Sequence, residues 1–92
     1  MNLDKAKKRL AKKAKMGFKG YPLLSLSYYG ETAELATKVT IAFTLEEGAE
    51  AQEQSFTGSN VKEDESIQSA LVKILERTDA KSLIEEPGIA IL

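Results

Sequence analysis

No cysteine and no histidine occur in the 92 residues. The first absence excludes disulfides and thiolate chemistry. The second removes the usual general base near neutral pH and the commonest metal ligand. Together they leave no donor set for a structural zinc site. No apolar run approaches the roughly twenty residues needed to span a bilayer. A basic start followed by Leu23–Tyr29 has the outline of a secretory leader, but Ser25 and Ser27 break the stretch and no small-residue cleavage pattern follows. The expectation is a cytoplasmic protein with no membrane span, metal or cofactor. A chain this short makes one domain, burying roughly 60–65% of the surface its unfolded form exposes.

What the chain does have is charge, unevenly spread. The first twenty residues hold seven Lys and one Arg against Asp4 alone, a net of +7. The other 72 hold five basic and thirteen acidic residues, a net of −8. The whole-chain value of −1 conceals two opposed poles.

Residues 2–16 read as a helix. At about 100° per residue, Leu3, Ala6, Leu10, Ala11, Ala14 and Phe18 gather on one side. Lys5, Lys8, Arg9, Lys12, Lys13 and Lys15 gather on the other, with Lys7 out of phase. Asn2 suits the cap that opens such a helix, and Gly17 the left-handed position that closes it. Isolated helices of this length are marginal in water, and seven crowded cations repel. The helix therefore forms fully only if its Ala/Leu side docks or an anion screens the other.

Gly17–Pro22 is a turn. Period-two alternation then marks two strands, with Leu24, Leu26 and Tyr28 on one face of the first and Val39, Ile41, Phe43 and Leu45 on one face of the second. Residues 31–37 connect them, with a helical turn expected near 32–36. A weaker, polar strand over about 51–57 suits a sheet edge. Ile67, Ala70, Leu71, Ile74, Leu75 and Thr78 follow helical spacing, opened by a cap at Asn60 or Asp64. Residues 81–84 read as a last short strand, and the apolar end at 89–92 either extends the sheet or frays.

The expected fold is α+β: a small three- to four-stranded, mainly antiparallel sheet with a C-terminal amphipathic helix on one face and a basic N-terminal helix. Residues 1–20 form the basic helix and turn, docked or mobile, and residues 21–92 the single α+β domain. The second helix should cover the Leu24/Val39 face. The first would dock on the opposite face or leave it wet. A right-handed crossover runs the fourth strand in the third strand's direction, beside the first or third.

Lysines along one side of a helix can sit against a phosphate backbone and release its counterions. Lys19 and Tyr21, with Phe18, extend that side into a basic-aromatic corner able to stack an unpaired base. The candidate nucleic-acid-binding residues are Lys5, Lys8, Arg9, Lys12, Lys13, Lys15, Lys19 and Tyr21. The competing reading is a solvated cationic face, or one packed against the protein's own acidic body. An anionic membrane surface fits less well, since the apolar side is mostly Ala and has no Trp. Ser25 and Ser27 have no His partner and no nucleophile elbow exists, so no catalytic set emerges. Glu46, Glu47, Glu50 and Glu53 lack calcium-loop spacing and read as a polar hairpin.

Gly17-Phe18-Lys19-Gly20 matches the bare GxxG of KH domains, but there the loop joins two helices and here it leads to a strand. Helix–strand–strand–strand–helix is also the order of double-stranded RNA-binding domains. Those carry a lysine cluster at the start of the second helix, where this chain has Lys62-Glu63-Asp64-Glu65.

The stretch 8–15 (RLAKKAK within it) and Gly17-Phe18-Lys19-Gly20-Tyr21-Pro22 resemble the opening of a small bacterial protein family of uncharacterised function. Tyr28-Tyr29-Gly30, Ala36-Thr37-Lys38-Val39 and Glu46-Glu47-Gly48-Ala49-Glu50 continue the resemblance, which implies no activity. The expectation is a binding module whose partner is RNA, DNA or a ribonucleoprotein. One alternative is a protein–protein adaptor using the acidic body or a sheet edge; a second, less supported by the sequence, is an enzyme without His or Cys that uses buried Lys or Glu for acid–base work. Oligomeric state is open.

Overall fold

A computed structural model describes all 92 residues, as two helices and five strands. The first helix, α1, is Leu3–Lys15. Asn2 caps it, its side-chain oxygen accepting the Lys5 N–H at 2.9 Å. Gly17, at φ 71°, donates its N–H to the Ala14 carbonyl and turns the chain away.

Strand β1 is Leu23–Gly30 and β2 is Lys38–Thr44. They pair antiparallel, with Leu26 opposite Ile41 and Tyr28 opposite Val39. Alternation puts Leu24, Leu26, Tyr28, Val39 and Ile41 on one buried face. Leu45 does not join it and is 59% exposed. The ladder stops at Leu23 opposite Thr44, and the residue that would face Leu45 is Pro22, which has no amide to donate. The connector holds a turn bridged between Thr32 and Leu35 rather than a helical one. Gly30 permits it: a Cβ there would collide with the Leu35 carbonyl oxygen.

Strand β3, Gln52–Thr57, pairs antiparallel with β2 and forms one edge of the sheet. A short 3₁₀ turn, Val61–Glu63, precedes α2, which is Glu65–Thr78. The cap is Asp64, whose carboxylate accepts the Ile67 N–H at 3.0 Å; the Asn60 side chain caps nothing. Val61 is fully buried and donates its N–H to the Ala36 carbonyl at 2.9 Å. That anchor holds the chain in the core and delays the helix by one turn.

After α2 the chain returns as β4, Ser82–Glu85, parallel to β1 with Leu24 beside Leu83. A second short strand, β5, Ala90–Ile91, also lies parallel to β1, with Tyr29 beside Ala90. The α+β class is as expected. The sheet, however, has five strands and is mixed, because the crossover through α2 delivers β4 in the direction shared by β1 and β3. Strand β5 resumes the same edge after the chain leaves it at Glu86–Gly88.

Helix α1 packs against α2 and β4, on the same sheet face as α2. Ala6 and Leu10 belong to the single core cluster with Leu24, Leu26, Val39, Leu71, Val72 and Leu83. The other face, expected as a dock for α1, stays open. Its centre is Ser25, Ser27, Thr40, Ala42 and Ser55, with Thr40 and Ser55 hydroxyls paired at 2.9 Å. Short polar side chains offer little apolar area for a helix to cover. No helix is long and apolar enough to cross a membrane.

Leu10 is 4% exposed. Leu10→Ala is expected to destabilise the fold by about 2–5 kcal/mol, read as a lower denaturation midpoint at unchanged m-value. A shift near zero would mean that α1 is not part of the core.

Candidate nucleic-acid interface

Docking sorts the cations of α1 by rotation. Ala6 and Leu10 are buried and Ala14 packs against the core, which sets the inward direction. Lys5, Lys8, Lys12 and Lys15 then fall on the opposite side, within about 80° of arc at helical spacing. All four are exposed, and none is in an ion pair. At about 1.5 Å per residue the stripe runs about 15 Å along the helix.

The flanks behave differently. Lys7 reaches Glu63 at 2.8 Å and Arg9 reaches Glu76 at 3.0 Å. Of the eight sequence-derived candidates, Arg9 is therefore engaged with the protein's own acidic body. Lys13 is half-buried and borders a cleft with Met16, Val72 and Leu75. Lys19 is exposed, and Tyr21 is half-buried with its ring set edge-to-face against Phe18, centroids 5.4 Å apart. Segment 17–22 follows α1 after Met16, so Lys15 and Lys19 are four residues apart across the end of the helix.

That turn is held by a residue the sequence reading did not single out. Ser82 has no exposed surface. Its hydroxyl accepts the Lys19 N–H at 2.7 Å and donates to the Gly20 carbonyl at 2.7 Å. The Lys81 and Ser82 amides both donate to the Pro22 carbonyl. Alternation along β4 puts Ser82 and Leu83 on opposite faces, which is the one sequence signal that Ser82 is not a core position. Its partners lie more than sixty residues away and have no local signature.

A groove of about 400 Å³ opens between α1 and the 3₁₀ turn, with Tyr28 and Gln68 inside it. Its rim has Lys7, Lys8 and Lys62 against Glu63 and Glu85. Most of this charge is spent internally. Lys7 is paired, and the Lys62 ammonium lies 4.8 Å from the Tyr28 ring centroid, a cation–π contact. Gln68 donates to the Tyr28 hydroxyl at 3.3 Å and to the Val61 carbonyl at 3.0 Å. The groove therefore adds only Lys8 to an outward-facing cationic surface. No cluster of three or more Asp and Glu side chains is placed to hold a metal ion.

Compared with models of protein families, with curated proteins and with solved structures, the chain matches none.

Burial raises the Tyr28 pKa; the Gln68 hydrogen bond pulls it down and Glu85 pushes it up, with burial the largest effect. A tyrosine whose folded pKa lies above its unfolded value near 10 stabilises the fold fully below that value. The contribution is lost as pH rises from there through the raised folded value. Tyr28→Phe should cost about 0.5–1.5 kcal/mol at neutral pH through the lost Gln68 bond. It should also flatten the fall in stability above pH about 10 relative to the parent, measured by urea midpoints across pH. An unchanged alkaline slope would show that Tyr28 does not titrate differently in the two states.

Proposed function

We propose that this protein is a nucleic-acid-binding module, contacting RNA or DNA, free or within a ribonucleoprotein, through the outer side of α1. The observation that carries the reading is the row Lys5, Lys8, Lys12 and Lys15: exposed, unpaired and held on a docked helix. A phosphate backbone fits such a row because each neutralised phosphate releases a condensed counterion, which favours binding by entropy. The contact is confined to this end of the molecule. Strand β3 and the hairpin before it hold Glu46, Glu47, Glu50 and Glu53 at the opposite sheet edge. A cytoplasmic setting is part of the same reading.

The adaptor reading has one observation behind it. Strand β3 has its outer edge unpaired, open to an added strand from a partner.

Titration of labelled RNA and DNA at two salt concentrations tests the first reading. Affinity should fall steeply with salt. The quadruple variant K5Q/K8Q/K12Q/K15Q should lower the magnitude of the log–log slope by about 3, at about 0.7–0.9 per lost contact. Circular dichroism should confirm that the variant stays folded. No binding at about 50 mM salt, where such contacts are strongest, would remove the proposal. Protein partners that survive the quadruple variant would favour the adaptor.

A further inference from the structure

Phe18 is the one aromatic side chain in the exposed class, 56% accessible. A lone exposed apolar residue is ordinary on a protein surface. Three features set this one apart. The rings of Tyr28 and Tyr29 are each covered by a lysine of the protein, Lys62 at 4.8 Å and Lys38 at 5.8 Å, whereas no cation lies over Phe18. The segment that holds Phe18 is clamped by the buried Ser82 hydroxyl on Lys19 and Gly20, so the ring is presented from a fixed backbone. Its surroundings are cationic from two directions in sequence. Lys19 follows it, and Lys81, from the start of β4, runs past Gly20, where an added methyl group would meet the Lys81 side chain at 3.7 Å. Gly20 stands at φ 114°, a conformation that side-chain-bearing residues rarely adopt.

We infer that this corner selects single-stranded nucleic acid: an unpaired base stacks on Phe18, and Lys19 and Lys81 hold the flanking phosphates. The inference rests on the phosphate-binding reading of α1 and specifies its substrate class. A duplex keeps the faces of its bases buried in its own stack, so an exposed ring gains nothing from it. A single strand offers a free π-face at every nucleotide. The proposed path of the strand runs from the corner to Lys15 and Lys12, the last lysines of the outer row before the turn. Lys81 belongs to the acidic part of the sequence and joins the site only through the fold.

The test compares a labelled ten-nucleotide oligothymidine with a duplex of equal length, by fluorescence anisotropy at low salt. The single strand should bind more tightly. Phe18→Ala should weaken it by about 5- to 100-fold and leave the duplex unchanged. Lys81→Gln should reduce the magnitude of the single-strand salt slope by about 0.7. Phe18→Trp should retain binding, and its indole fluorescence should be quenched as the base stacks. Because Phe18 is exposed, these variants keep the core intact. Equal affinity for both forms, or single-strand binding indifferent to Phe18→Ala, overturns the stacking inference. The phosphate reading stands in that case if K5Q/K8Q/K12Q/K15Q still lowers the magnitude of the salt slope by about 3. Absence of binding to either form overturns both.

Discussion

The packing of Ala6 and Leu10 into the core is the contact on which the rest depends. A thirteen-residue helix with this many cations does not hold itself together in water. Docking supplies the missing free energy. Ala6 has no exposed surface and carries only a methyl group, so α1 can lie close to its neighbours. Leu10 supplies the larger apolar contribution, on the order of 1.5–3 kcal/mol for a fully buried leucine. The same contact fixes the helix in rotation. With one side turned inward, Lys5, Lys8, Lys12 and Lys15 have no direction left but outward. Their mutual repulsion is borne by the core rather than relieved by unwinding.

The ion pairs on the flanks are a smaller matter. Both Lys7–Glu63 and Arg9–Glu76 have side chains roughly half exposed. Pairs of that kind contribute about 0–1 kcal/mol each. They cannot hold α1 in place against its own charge, and they do not neutralise the outer row. Distance protects that row as well. The acidic edge at β3 is three strands away from β4, against which α1 packs. At about 4.8 Å per strand that is about 14 Å, beyond the Debye length of about 8 Å at physiological salt. That edge is therefore screened from the outer row, whereas the acidic groups of α2 and the 3₁₀ turn lie close enough to pair with the flanks of α1.

Much of the fold was legible because it is periodic. Leu24, Leu26 and Tyr28 alternate, as do Val39 and Ile41, and α2 repeats Ile67, Leu71 and Ile74 at helical spacing. Periodicity names the inward face of an element but not what it meets. Leu3, Ala6 and Leu10 announced an apolar side of α1 without saying which side of the sheet would receive it. The open sheet face lost because Ser25, Ser27 and Thr40 offer no apolar area, while Val72 and Leu83 do. The direction of β4 followed from the crossover rule, but the last strand was harder. Ala90–Ile91 is two residues long and owes its place to the register left free on β1 beyond β4, a fact that exists only once the sheet is built. Lys19 and Tyr21 could be picked out as neighbours of the basic helix. Ser82 and Lys81 could not, since their contacts with the turn span about sixty residues.

The internal use of aromatic and cationic groups separates what is structural from what is left over. Where a lysine sits above Tyr28 or Tyr29, each group already satisfies part of the other's demand for a partner. A ligand entering there would have to replace an existing contact, and its gain would be the difference between two interactions. At Phe18 there is no such contact with a cation to displace. The Tyr21 ring meets it edge-to-face at 75° and steadies it. The Ser82 clamp means that little backbone freedom remains to be lost when the corner is occupied, and ordering costs are what most often erode a stacking gain. A fixed ring beside uncommitted lysines thus has no cation contact to give up to a stacking ligand, unlike Tyr28 and Tyr29.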